Sequence, residues 1–273
     1  MDWNKTKSIF IGVFLILNIF LYSQYLKAYS EAQKVQPLGQ NDIEERLKEE
    51  GITYAGLPNN IEKAPYISAK VKTYSLDELP TNNNQQYQLI SDSELVVTFK
   101  EPIKLISTKQ PTTLKDFVRQ YVYEGTSFEL WEINEELRTA TFSQRFNEYT
   151  LYYNKYSKNG YVKIHWNANG EVFMYEQSML EKVEVIEQQK VILSPLQILR
   201  VLYTKNLLKT DSHIASMRLG YSTLMQLTQT QVFTPTWEVR VRTAEGEEEQ
   251  YFVNAIQGKV IEFKPDIEEV VEE

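Results

Sequence analysis

The sequence predicts an α+β chain: a single N-terminal transmembrane helix, then an extracytoplasmic region dominated by antiparallel sheet with a few helices. Three observations carry this. Residues 8–26, SIFIGVFLILNIFLYSQYL, contain no charge and are mostly Ile, Leu, Phe and Val. Beyond them, short runs rich in aromatic and β-branched residues alternate with turn signals, the pattern of strands and hairpins. Only three later segments, 41–50, 113–123 and 195–208, combine helical spacing with helix-end signals.

The first run fits a bilayer. A helix over residues 8–26 covers about 28 Å, against a hydrocarbon core of about 30 Å. Trp3 precedes it and Tyr22 and Tyr25 close it, as amphipathic rings do at the two membrane interfaces. A cleaved signal peptide needs a shorter apolar core followed promptly by small residues. Here Tyr22, Gln24, Tyr25 and Leu26 follow instead, and the small-x-small triplet Ser30-Glu31-Ala32 comes late. Lys5 and Lys7 favour a cytoplasmic N-terminus, so the chain is expected to span the cell membrane once, with its C-terminal region outside.

In the outer region, Asn41 caps a short helix that Gly51 ends. Residues 66–74 read as a strand, 80–86 as a polar loop and 94–99 as a strand. Leu114, Phe117, Val118, Tyr121 and Val122 share a helix face in 113–123. Strands follow over 127–134, 137–146, 148–156, 161–166 and 171–179, the last two joined by Asn167-Ala168-Asn169-Gly170, a hairpin signal. Ser194 and Pro195 open the helix of 195–208, and strands resume at 236–242, 250–253 and 260–263. The turn Asn254-Ala255-Ile256-Gln257-Gly258 echoes the earlier Asn–Gly turn at a similar distance from the preceding helix. The echo points to two related helix-plus-sheet units; the alternative is that Asn-rich turns with Gly are common in hairpins. The chain divides accordingly into 1–27 (N-terminus and anchor), 28–188 (first α+β unit), 189–265 (second unit) and 266–273 (an acidic tail expected to be disordered).

Composition removes much chemistry. With 273 residues the chain can bury a real core, and 42% hydrophobic content excludes wholesale disorder. A net charge of −8 argues against nucleic-acid binding. No Cys and only two His exclude cysteine nucleophiles, Cys-based zinc or iron–sulfur sites and multi-His metal sites. Phosphate-cradling, dinucleotide and nucleophile-elbow motifs are absent, so no cofactor, metal or catalytic residue is assigned and no enzyme activity is expected. His165 reads as a satisfied sheet histidine, His213 as a loop residue, and Glu245, Glu247, Glu248 and Glu249 around Gly246 as a solvated turn. Tyr152, Tyr153 and Tyr156 are the densest aromatic cluster, with a core role favoured over a ligand surface.

The apolar helix is the stronger candidate. Ser8 and Gly12 make a small-x-x-x-small step, and Asn18 places an amide near mid-span, where a partner helix can satisfy it. Asn18, Tyr22 and Tyr25 form a further stripe. Ser8, Gly12, Asn18, Tyr22 and Tyr25 are therefore the candidate partner-binding residues; a lone anchor also tolerates one Asn and one Gly.

The opening MDWNKTKSIFIGVFLILNIFLYSQYL, then NDIEERLKEEGI, ILSPLQILRVLY, PTWEVRVR and YFVNAIQGKVIEF, together resemble the YycI (WalI) family. The strand pattern of 237–263 also resembles peptidase-propeptide-type (PepSY) domains. The family resemblance implies a YycH/YycI-like fold and a non-enzymatic, single-pass regulator of the WalK–WalR two-component system, which serves cell-wall homeostasis. It implies two protein partners, a WalK-type sensor histidine kinase met through membrane helices and a YycH-like protein met by the outer domain. Two other classes compete: an anchored binding module for a wall precursor or peptide, and a carboxylate-dependent wall hydrolase.

Overall fold

The computed structural model describes residues 3–33, 40–54, 56–59, 61–80, 82–152, 159–186, 189–223 and 229–261. Helix α1 (Trp3–Gln33) comes first and α2 (Gln40–Glu49) follows. Gly51 leaves α2 at φ +70°, the left-handed conformation that glycine adopts without strain. Strands β1 (Thr53–Tyr54), β2 (Lys63–Ala64) and β3 (Ile67–Val71) lead into β4 (Gln85–Ser91) and β5 (Glu94–Lys104). Then come α3 (Pro111–Tyr121), β6 (Phe128–Asn134), β7 (Thr139–Phe146), β8 (Tyr149–Thr150), β9 (Tyr161–Trp166) and β10 (Glu171–Ser178). The last stretch holds β11 (Leu180–Val185), β12 (Lys190–Val191), α4 (Pro195–Thr204), β13 (His213–Ser222), β14 (Thr230–Arg242), β15 (Glu248–Asn254) and β16 (Val260–Ile261). The fold is mixed α+β and dominated by sheet.

One sheet runs β4-β5-β10-β9-β7-β6, with β8 beside β7. The other runs β1-β13-β14-β15-β16, with β3 joining β14 to β11. Helix α3 buries Leu114, Phe117 and Val118 in one core with Leu95, Val97, Phe142, Ile164 and Tyr175 of the first sheet. Helix α4 buries Ile198, Leu199 and Leu202 in another with Trp237, Val239 and Val253 of the second. A capping box starts α4: the Ser194 hydroxyl accepts from Gln197 N, and the Gln197 side chain accepts from Ser194 N.

Helix α3 precedes a four-strand antiparallel meander of β6, β7, β9 and β10, and α4 precedes another of β13, β14, β15 and β16; we refer to these as the first and second units. The two echoing turns do the same work. Asn167 Oδ1 accepts from the backbone N–H of Asn169 (2.9 Å) and Glu171 (3.1 Å). Asn254 Oδ1 accepts from Ile256 N and Gln257 N, both at 2.9 Å.

The cores do not divide at 188/189. Ile43, Leu47, Ile52 and Ala64 belong to the α4 core, β1 pairs β13 in parallel, and β3 pairs β14. The chain lays down part of the second unit before crossing to build the first.

Several elements differ from expectation. Gln85 and Gln86, part of the expected polar loop, begin β4; Gln85 is buried there because its side chain is satisfied, Nε2 donating to Tyr121 O and Oε1 accepting from the Tyr87 hydroxyl, both at 2.7 Å. Helix α4 stops at Thr204, and the chain turns through Asn206 at φ +55°. His213 opens β13 instead of lying in a loop. Of the strand expected over 148–156, the described residues form β8, after which Leu151 bridges to Tyr221 of β13. Residues 153–158 and the acidic tail lie outside the described residues.

Candidate functional site

Two places gather side chains whose arrangement needs explaining. The first is α1. Every residue from Phe10 to Leu26 is exposed, including Phe10 at 76% and Ile16 at 69%, so the described residues leave this apolar surface largely uncovered. Gly12 has no atom within 4 Å of where a Cβ would sit, so the chain itself does not require glycine there. Asn18 Nδ2 donates to Phe14 O at 2.8 Å, one turn back, and this meets one amide hydrogen within the helix. Tyr22 and Tyr25 are exposed at 63% and 62%. Gly12, Asn18, Tyr22 and Tyr25 therefore all stand on open helix surface; the side chain of Ser8 lies outside the described residues. Among the described residues, no helix is long and apolar enough to cross a membrane. Within the apolar run, those described side chains begin at Phe10.

In the outer region, both histidines and several carboxylates, including Glu135, which with Glu132 and Glu136 is a further candidate for a hydrolytic carboxylate pair, have partners within the fold. His165 on β9 places Nε2 2.8 Å from Glu176 Oε1 on β10, and this bond holds the Glu176 carboxyl below its usual range. His213 Nδ1 lies 2.9 Å from Thr53 Oγ1, tying β13 to β1. Glu135 pairs with Lys109 at 2.7 Å, Glu249 with Lys209 at 2.6 Å and Glu248 with Arg242 at 3.0 Å. Tyr152 is 2% exposed and donates to Arg218 O at 3.0 Å, so it is a core residue; Tyr153 and Tyr156 lie outside the described residues. Among the described residues, no group of three or more His, Cys, Asp or Glu could hold a metal.

The second place was not marked by any motif. Glu238, on β14, is 1% exposed. It accepts from Arg218 Nε at 3.0 Å, Arg240 Nε at 2.7 Å and Gln250 Nε2 at 2.5 Å. The Arg240 guanidinium lies 6.0 Å from the ring centre of Trp131, which stacks on Phe252 at 5.7 Å and 28°. Trp131 comes from β6 of the first sheet and Phe252 from β15 of the second, so the cluster joins the two units. The alternation Glu238-Val239-Arg240-Val241-Arg242 was its available signal: charged residues sharing one face of a strand whose other face is apolar.

The sequence model of the family described as YycI protein matches residues 31–256, most of the chain. The chain belongs to the YycI family. It is a regulatory family, and membership suggests a regulator in the YycG/WalK two-component system. Comparison with curated proteins gives no match. Among solved structures, YycH from Bacillus subtilis aligns with a TM-score of 0.39 and 12% identity, over 71% of this chain and 53% of that one. The chain thus spans about half the length of that structure. An uncharacterized protein from Eubacterium rectale ATCC 33656 aligns with a TM-score of 0.38 and 10% identity, over 78% of this chain and 89% of that one. Neither likeness carries a functional argument.

Proposed function

We propose that this YycI-family chain is a membrane-anchored, non-enzymatic regulator of a WalK-type sensor histidine kinase. The apolar part of α1 crosses the membrane and contacts the kinase's helices, and the outer domain works with a YycH-like partner. The observation that carries this reading is the uncovered apolar surface of α1 from Phe10 to Leu26. A bilayer or a partner helix is what such a surface needs. Gly12 allows close backbone approach, and Asn18 retains Oδ1 and one amide hydrogen beyond its bond to Phe14.

The mechanism is a population shift. Kinase helices with two signalling arrangements respond to any partner that binds one arrangement better. Close packing with one interhelical hydrogen bond supplies about 0.6–2 kcal/mol, which overlaps the 1–3 kcal/mol typical of allosteric coupling. Because Phe14 O already takes one Asn18 hydrogen, the lower part of that range applies.

The test is co-purification of tagged full-length chain from its native membrane, beside a chain in which residues 8–26 are replaced by an unrelated spanning helix. A histidine kinase recovered only with the native helix supports the reading. A kinase recovered equally with both moves the contact to the outer domain. Recovery with neither removes the kinase from the function. Asn18→Leu should then lower co-purification and change kinase output.

A further inference from the structure

Cross-strand pairing places Arg218, Glu238, Phe252 and Ile261 in one row across β13, β14, β15 and β16. Their neighbours Trp237, Val239 and Val253 face the α4 core, so this row lies on the opposite face of the sheet. Arg240 stands two residues further along β14, opposite Gln250. Arg218 and Arg240 each give their Nε–H to the buried Glu238, and among the described residues neither has another acceptor within bonding distance. A guanidinium carries five N–H donors, so the outer edges of both remain to be satisfied. The two side chains are 49% and 34% exposed, and Arg240 rests over Trp131. One buried carboxylate thereby fixes two outward guanidinium edges beside a stacked aromatic pair. That arrangement suits carboxylates, which guanidinium groups bind in pairs of parallel hydrogen bonds.

We propose that the acidic segment 266–273 of this same chain docks on the Arg218–Arg240 pair. Charge complementarity selects it: the segment carries Asp266, Glu268, Glu269, Glu272 and Glu273. Chain geometry delivers it. Ile261 ends β16 in the same row as Arg218, three strand spacings away, or about 14 Å. Strand β16 runs from the level of Val253 to that of Phe252, and so toward Gln250 and Arg240. Five residues from Ile261 to Asp266 reach up to about 17 Å, and each further residue adds about 3.4 Å. A tether this short gives an effective concentration in the millimolar range, so pairs that are weak between separate molecules are occupied within one chain. The inference does not depend on the proposed kinase contact.

The absence of cysteine permits a clean label. Val270→Cys in the full-length chain in mild detergent, carrying a bimane dye that tryptophan quenches on contact, reports proximity to Trp131. The dye is expected to be dimmer than in the same chain carrying Trp131→Phe. Brightness should return to that level when Glu268, Glu269, Glu272 and Glu273 are all changed to Lys, a change that alters none of the described residues. It should also return when salt rises from about 0.05 M to about 0.5 M, which shortens the screening length severalfold. Arg218→Gln with Arg240→Gln should do the same, with a melting curve to verify folding. Equal brightness with and without Trp131 overturns the proposal. Quenching that survives the four Lys substitutions also overturns it, because contact would then not depend on the carboxylates.

Discussion

Replacing Glu238 by Gln tests whether one buried carboxylate organises the joint between the units. The substitution preserves size and removes charge. It weakens the bonds to Arg218 and Arg240 and sets an amide N–H₂ against guanidinium N–H donors in a site that is 1% exposed. Buried hydrogen bonds to charged groups are worth about 1.5–3 kcal/mol each. The two guanidinium groups are 49% and 34% exposed, so solvent screening takes these bonds toward the lower end, for a total near 3 kcal/mol. For a domain of this size that lowers the melting temperature by about 6–12 °C. The control is Arg242→Gln, which breaks the 3.0 Å pair to Glu248, whose side chains are 56% and 67% exposed. Such an exposed pair is worth under about 0.5 kcal/mol, or less than about 2 °C. Circular dichroism melts of the full-length chain in mild detergent compare the two. Equal shifts, or a Glu238→Gln shift no larger than that of the control, would refute the reasoning that burial decides the difference.

Two further outcomes follow from the geometry. The bond from Lys115 to Glu129 and the bond of Glu176 to His165 hold both carboxyls below their ordinary value of 4.5 when folded. The unfolded chain therefore takes up those protons first as pH falls. The associated stability is present above about 4.5 and is lost as pH drops through the folded values, so Glu129→Gln with Glu176→Gln should flatten the acid limb of urea midpoint against pH. Gly220→Ala would bring a Cβ to 2.5 Å from Tyr152 Cζ and 2.6 Å from Thr150 O. Because Thr150 O is backbone, the strain should reach at least about 1–3 kcal/mol, seen as a lower urea midpoint; an unchanged midpoint would mean that residues 150–152 do not press against β13.

What could be read in the sequence was what depends on local physics. Ser194-Pro195 marked the start of α4, and the two Asn–Gly turns marked both closing hairpins, because caps and tight turns are decided within a few residues. Strand pairing between distant segments was not legible. Strand β13 mixes His, Ser, Gly and Arg and shows only weak alternation, yet β14 pairs along nearly its whole length. The Glu238 cluster escaped for the same reason. Arg240 is two residues from Glu238 on the same strand, but Gln250 and Arg218 are 12 and 20 residues away and meet it only through register, and Trp131 arrives from the other sheet.

That non-local pairing changes what α1 is attached to. A cut at 188 would hang the first unit directly below the helix. Instead, α2, which follows α1, buries Ile43 and Leu47 with Ile198, Leu199 and Leu202 of α4. Glu50 then accepts from the Tyr203 hydroxyl at 2.7 Å, and β1 pairs β13. Close-packed interiors deform little, so a displacement arriving along the chain from α1 meets the second unit's core before it can reach the first. The first unit is reached through Trp131, Tyr152 and the Leu151 bridge to Tyr221, where residues from both sheets pack together. A change at the Arg218–Arg240 face, one residue along from the α4-facing side of the same strands, therefore lies on the physical route between α1 and the first unit. This makes that face, more than any carboxylate pair or histidine among the described residues, the place where binding to the sheets can be coupled to α1.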